Sequence, residues 1–500
     1  SLVRAVLDDL QPGGIILCPF NVAQGSSLAH FIAGMQSHIL QSTPVPLLIS
    51  VDQEGGRSLR DPLSEADRVT RFPSNMAAGV AGSRQAVYKW GRTLGAQLRR
   101  MGVNMNLAPV LDVNSNPENP IINSRAFGCT PGIVARLGVA YLRGLQASGC
   151  MAVAKHFPGH GDTARDSHSE LPSINKTWAE LTTLELHPFK AAFKAGVGGV
   201  MAAHITYPLI LADGKPATLS HKFMTEILRH QMRFEGLSLT DDMVMEAIQL
   251  PAGEAAVQSV LAGTDIVLST HQSVLARSMK DTLVQAVRSG RISQERLQTS
   301  VLRVLSKKHE FQILAHQNFT EPEEAAHYTA HARELNANMS LGGLVYGGPR
   351  RLLSPPADVT RVFIVYHDLL RQYIAQHVQD SNDVVLRDLT GLQGSEPPTW
   401  AEEEAVVVYV YFLVLEVEPL AMLSELSRQF GMKVVALCSG NPFQFTPETV
   451  GLFDGALLSL SNTPGSLLAM ATALDGQFVP KRPPLPLFDF VLPGPPPAAA

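Results

Sequence analysis

The sequence predicts an α/β fold: a (β/α)8 TIM-type barrel followed by a smaller α/β domain. Three observations predict it. Through the first half, short apolar runs alternate with amphipathic helical stretches, which is the pattern of βα units and a parallel sheet. Polar side chains stand where those runs end, as they do at the catalytic mouth of a barrel. The chain has 500 residues, 45% of them hydrophobic, which is ample for more than one core. A doubly wound open sheet is the runner-up, but it would not bring so many strand ends to one mouth.

Taken in order, residues 2–10 read as a helix and 14–18 as the first strand. Strands then follow at 46–52, 104–112, 151–156, 198–204, 237–241 and 263–269. Asp52, Asp112, Lys155, His156, His204 and Asp241 fall at or near their ends. That makes seven strands where a closed barrel of this type has eight. The first domain is expected over 1–336, after the helical stretch 294–312. Residues 337–358 are rich in Gly, Pro and Arg and suit a connector. Beyond it, apolar runs at 362–366, 384–386, 405–411 and 433–437, with a helical pattern at 420–430, predict a second α/β unit over 359–482. The Pro-rich end, 483–500, has the composition of a disordered tail.

Composition excludes several classes. The net charge is -5 and the pI is near 6.3, with no basic block, so a nucleic-acid surface is not expected. No apolar run approaches the roughly 20 residues needed to span a bilayer; 405–415 is too short and reads as a buried strand. No secretory leader is visible, so a cytoplasmic protein is expected. Cys18, Cys129, Cys150 and Cys438 lack metal-ligand spacing and read as reduced structural thiols. His156 and His160 are four apart, but Pro158 and Gly159 interrupt them, which rules out ligation from one helix face. Neither a metal nor a cofactor is called for.

The richest stretch is Lys155-His156-Phe157-Pro158-Gly159-His160-Gly161-Asp162-Thr163, followed by Asp166-Ser167-His168. It places three histidines and two carboxylates in one glycine-broken loop after a buried strand. These residues closely resemble the signature of family 3 glycoside hydrolases, in the branch of the bacterial β-N-acetylglucosaminidases. The segments Cys438-Ser439-Gly440-Asn441-Pro442-Phe443 and Asn462-Thr463-Pro464-Gly465-Ser466 resemble that family's C-terminal α/β sandwich. In this family a strand precedes the helix at 2–10, so the resemblance implies a barrel short of its first strand.

The resemblance also implies a chemistry. The family's nucleophile is the first aspartate of Ser238-Leu239-Thr240-Asp241-Asp242-Met243, which is Asp241 here. His168, assisted by Asp166, matches the branch's acid–base dyad. An imidazole titrating near pH 6.5 can give a proton and take one back, and a nearby carboxylate favours its charged form. Asp52 and Arg60, with Arg125 of Asn123-Ser124-Arg125-Ala126-Phe127-Gly128 and the pair Lys155 and His156, resemble the sugar clamp. The implied partner is an oligosaccharide containing N-acetylglucosamine. A neutral imidazole does not repel an anion, so phosphate can stand in for water as acceptor. Asp112 and His204 read as groups that hold Arg125 or Lys155, Asp242 as a cap, and His160 as a shaper of the loop. Two competing readings are a β-glucosidase of the same family and a sugar-binding protein without turnover. The Asp166-Ser167-His168 loop favours the acetamido sugar over the first, and the complete set of matched residues favours an enzyme over the second.

Overall fold

The computed structural model describes residues 2–19, 28–56, 62–63 and 69–315, except 168, 169, 271 and 272. In the second half it describes 325–347, 352–353, 355, 359–365, 368–377, 384–386, 406–412, 432–439, 453–461, 463–476, 478 and 480. The chain divides into two compact units, one of residues 1–71 and 83–333, the other of 72–82 and 334–500.

The first unit is built on seven parallel strands: β1 (Gly14–Leu17), β2 (Leu48–Val51), β3 (Met105–Asn106), β4 (Met151–Phe157), β5 (Gly199–Ala202), β6 (Leu237–Asp242) and β7 (Ile266–Leu268). They pair strictly in sequence order, as expected when each crossover helix returns the chain to the next position in a barrel. The sheet is curled. The helix Leu2–Leu10, ahead of β1, meets the helix Ser273–Arg288, which follows β7. Arg277 forms an ion pair with Asp9, and Lys280 Nζ donates to the Asp9 carbonyl at 2.6 Å. Among the described residues β1 and β7 do not pair with each other, so the sheet has seven strands, as counted in the sequence.

The barrel interior is apolar. Leu48, Met105, Leu107, Met151, Val153, Met201, Leu237 and Leu239 form one core cluster with Phe311 and Ile313. These last two follow the helix Gln294–Glu310. From that helix the buried Lys308 donates to the carbonyls of Gly13 at 3.0 Å and Pro46 at 2.6 Å, satisfying backbone just ahead of β1 and β2. The stretch expected as a strand over 104–112 is in the sheet only at Met105–Asn106. Pro109 has no N–H to give a ladder, and beyond it one isolated bridge, Val110 with Lys155, continues the pairing.

Outside the sheet, the helix Arg84–Arg100 packs closely on the helix Pro131–Ala147. A Cβ on Gly91 would lie 2.3 Å from the Tyr141 carbonyl oxygen, and one on Gly144 2.1 Å from that of Tyr88. Trp90 meets Tyr141 edge-on at 4.9 Å. The pair therefore depends on glycine for its close approach.

The second unit holds a six-stranded sheet. Its strands are β8 (Val345–Gly347), β9 (Thr360–Ile364), β10 (Val384–Leu386), β11 (Val406–Phe412), β12 (Lys433–Cys438) and β13 (Gly455–Leu458). The order is β10-β9-β11-β12-β13-β8, parallel except for β8, which runs antiparallel to β13. Two expectations are corrected here. The connector at 337–358 contains strand β8, because Val345 and Tyr346 are apolar enough to be buried despite their Gly-rich flanks. The first domain is also not continuous over 1–336. Residues 72–82, carrying the helix Asn75–Ala81, belong to the second unit. Ser74 Oγ donates to the Leu460 carbonyl at 2.6 Å, and a Cβ on Gly343 would meet that of Ala77 at 2.8 Å. The segments 420–430 and 483–500 lie outside the described residues. Among the described residues, no helix is long and apolar enough to cross a membrane.

Candidate active site

Strand ends bring the charged residues together. Every residue of β4 is buried, and its Lys155 places an ammonium 2.5 Å from Asp52 Oδ1 and 2.6 Å from Glu54 Oε1. Glu54 in turn accepts a two-pronged bond from Arg125, Nε to Oε2 at 2.8 Å and Nη2 to Oε1 at 2.9 Å. Such a fork is a strong, oriented form of charge-assisted bonding. The Arg125 Nη2 group also lies 3.4 Å from His156 Nε2. Glu54 is the member that the sequence reading missed. It stands two residues after Asp52 in Asp52-Gln53-Glu54-Gly55-Gly56, and a second carboxylate in that short run was the available signal.

The geometry extends one supporting role and corrects another. Asp112 supports Arg125 through its charge, while its hydrogen bonds go to residues 156–160. Its Oδ2 is 2.6 Å from His156 Nδ1, while Oδ1 accepts from the backbone N–H groups of His156 at 3.2 Å and His160 at 2.7 Å. The His156 ring is thus held at both nitrogens. Among the described residues His204 bonds to neither Arg125 nor Lys155. It lies between the Thr218 hydroxyl, 2.8 Å from Nδ1, and the Asp242 carbonyl, 3.0 Å from Nε2.

Asp241 closes the far side of the site. It is on β6, and its Oδ1 accepts the Asp242 amide at 2.8 Å. Burial pushes its carboxyl up, but His156, His204, the Asp242 amide and Lys155 together outweigh that and hold it at about 2. The group is therefore a carboxylate across the neutral range. Asp242 turns to other work: its Oδ1 accepts from the amides of Val244 at 3.3 Å and Thr270 at 3.1 Å, and Oδ2 from the Thr270 hydroxyl. Cys18, just past β1, has its thiol pushed up to about 11 by burial and by Asp52 and Asp242.

The loop after β4 is tightly built up to Ser167. His160 Nδ1 is 2.9 Å from Thr163 Oγ1 and its Nε2 3.0 Å from Ser167 Oγ. Burial, with His156 adding to it, presses the His160 pKa down to about 4. The Asn119 amide donates to the His160 carbonyl at 2.8 Å, and the Tyr207 hydroxyl to that of Gly159 at 2.6 Å. Asp166 lies on this loop, while His168 and Arg60 lie outside the described residues. Among the described residues no group of three or more His, Cys, Asp or Glu could hold a metal ion.

The sequence profile of the glycosyl hydrolase family 3 N terminal domain matches residues 2–307. The chain belongs to this family. Beta-hexosaminidase A of Pseudoalteromonas piscicida is 34% identical over 322 residues, covering 59% of this chain and 53% of that protein. The match thus spans about half the length of that relative. A beta-hexosaminidase of Nitrosomonas eutropha is 34% identical over 300 residues, covering 58% of this chain and 83% of its own. Among solved structures, a glycoside hydrolase family 3 beta-N-acetylglucosaminidase from Paenibacillus sp. str. FPU-7 superposes with a TM-score of 0.84 at 32% identity. That superposition covers 95% of this chain and 93% of the other. Both units therefore have counterparts in a family 3 architecture, a barrel followed by an α/β sandwich.

Proposed function

We propose that the chain is a β-N-acetylhexosaminidase, a retaining glycoside hydrolase that releases terminal non-reducing N-acetyl-β-D-glucosamine from β-linked oligosaccharides. The observation that carries the reading is Asp241, a half-buried carboxylate at a strand end that His156, His204 and Lys155 hold at about 2. A nucleophile must be ionised where the sugar binds, and this one is. Its carboxylate attacks the anomeric carbon, forming a glycosyl ester as the bond to the departing oxygen breaks. His168 gives that oxygen its proton, with Asp166 favouring the imidazolium. In the second step water attacks the same carbon, His168 takes the water's proton, and Asp241 leaves. Phosphate can take the place of water, since a neutral imidazole does not repel it.

Asp52, Arg60, Arg125, Lys155 and His156 hold the sugar hydroxyls. Glu54 and Asp112 support this reading by fixing Arg125, Lys155 and His156 before substrate arrives, so that less ordering remains for binding. The names of the relatives, beta-hexosaminidases and a beta-N-acetylglucosaminidase, favour the acetamido sugar.

The test is turnover of a chromogenic N-acetyl-β-glucosaminide beside the matching β-glucoside, with and without phosphate. The acetamido substrate is expected to be preferred, and Asp241→Ala to lose on the order of 10⁴-fold or more in kcat while still binding the sugar by calorimetry. Full activity in Asp241→Ala, or preference for the glucoside, would overturn the reading.

A further inference from the structure

Beneath the loop that carries Asp166 lies a charged pair that the proposed reaction does not use. Glu185, immediately before the helix Leu186–Lys194, has a side chain with no solvent exposure and forms an ion pair with Lys176. Its second oxygen, Oε2, has no hydrogen-bond partner among the described residues. Burial raises the Glu185 carboxyl against the pull of Lys176. A buried ion pair of this kind is a poor source of stability, and apolar side chains of the same volume can often replace it at no loss. Its geometric consequence is more specific.

Lys176 Nζ also reaches Asp162 Oδ2 at 3.3 Å, and Asp162 Oδ1 accepts from Ser115 Oγ at 3.0 Å. Gly159 closes on the same glutamate: at φ +143 a Cβ there would come within 2.6 Å of Glu185 Cβ and Cγ. The turn 159–162 is thus seated on Glu185 at one end and on Lys176 at the other. From inside that turn His160 bonds to Ser167, the residue between Asp166 and His168 in sequence.

We infer that Lys176 and Glu185 are positioning residues for Asp166 and Ser167: the pair seats the turn 159–162, and His160, bonded to Ser167, carries that placement to the carboxylate that assists the proton donor. This rests on the reading of Asp166 and His168 as an acid–base dyad. An acid–base group displaced by about 1 Å loses on the order of 10²-fold in rate, and in the first step, which kcat/KM reports, only substrates that need the proton register the loss.

Lys176→Met, Lys176→Arg and Asp162→Asn are compared with the parent enzyme on two N-acetyl-β-glucosaminides, an alkyl glycoside and a dinitrophenyl glycoside. Lys176→Met should lose about 10- to 100-fold in kcat/KM on the alkyl glycoside and less than about threefold in kcat/KM on the dinitrophenyl one, since kcat/KM reads the first step alone. Lys176→Arg should recover most of the loss, and Asp162→Asn should show the same selectivity more weakly. Equal losses on both substrates, or none in a folded Lys176→Met, overturn the inference. If Lys176→Met does not fold, an unchanged leaving-group dependence in Asp162→Asn overturns it instead. His168→Ala separates the two readings: equal losses on both substrates there overturn the dyad itself, whereas a selective loss there without one at Lys176 overturns only the positioning role.

Discussion

Glu54 stands between two buried cations, Arg125 and Lys155, and its removal exposes how much the site depends on paired charge. Glu54→Gln keeps the shape but leaves both cations underbalanced, and breaking a buried pair costs about 3–5 kcal/mol. Denaturant melts should show that loss, and sugar affinity should fall with it; an unchanged midpoint would mean that Asp52 alone balances Lys155. His160 has the opposite dependence on charge, because its site favours the neutral ring. Its folded pKa of about 4 lies below the roughly 6.5 of an unfolded histidine. Between those values the unfolded chain binds the proton more tightly. The stability contributed by this group is therefore complete above about pH 6.5 and is lost as pH falls toward about 4, with a slope of about 1.4 kcal/mol for each pH step of one. Urea melts from pH 7 to 4 should show that decline, and His160→Gln should flatten it.

The helices Arg84–Arg100 and Pro131–Ala147 make the corresponding point for elements. Their close approach is set by Gly91 and Gly144, each with a backbone carbonyl oxygen where a Cβ would go. Backbone cannot step aside as a flexible side chain can, so Gly144→Ala should destabilise by about 1–3 kcal/mol despite alanine's better helix propensity. A melt of that variant decides it, and a gain in stability would show that the two helices slide apart without penalty. The same pair carries Tyr141, whose hydroxyl lies 3.2 Å from the Asn106 amide and 3.3 Å from the Gln53 carbonyl. Displacing the helix Pro131–Ala147 therefore also disturbs the chain between Asp52 and Glu54, and Gly144→Ala should raise KM as well.

For the whole barrel, the deciding feature is the edge. Strands β1 and β7 each pair on one side only among the described residues, and unpaired strand edges leave donors and acceptors to other partners. A strand-length segment supplied ahead of Leu2 that pairs with both edges should raise the melting temperature. It should also raise kcat/KM by tightening the mouth, where a misplacement of about 1 Å costs on the order of 10²-fold. Side-by-side melts and turnover of the two chains decide it; no change in either would mean that Lys308 and the helices Leu2–Leu10 and Ser273–Arg288 already close the barrel.

Local pattern was enough to read the seven strands, the polar residues after them and the loop from Lys155 to His168, because strand periodicity and turn chemistry act over a few residues. The same local reading found most of β9 to β12 but passed over β8 and β13. Tertiary structure alone decided the partners. Asp112 grips His156 across 44 positions, Arg125 reaches Glu54 across 71, and Ser74 joins Leu460 across 386, which assigns residues 72–82 to the second unit. No periodicity encodes such pairings. They arise when folding removes charged and polar groups from water and each must find whichever partner the packed chain has brought within reach.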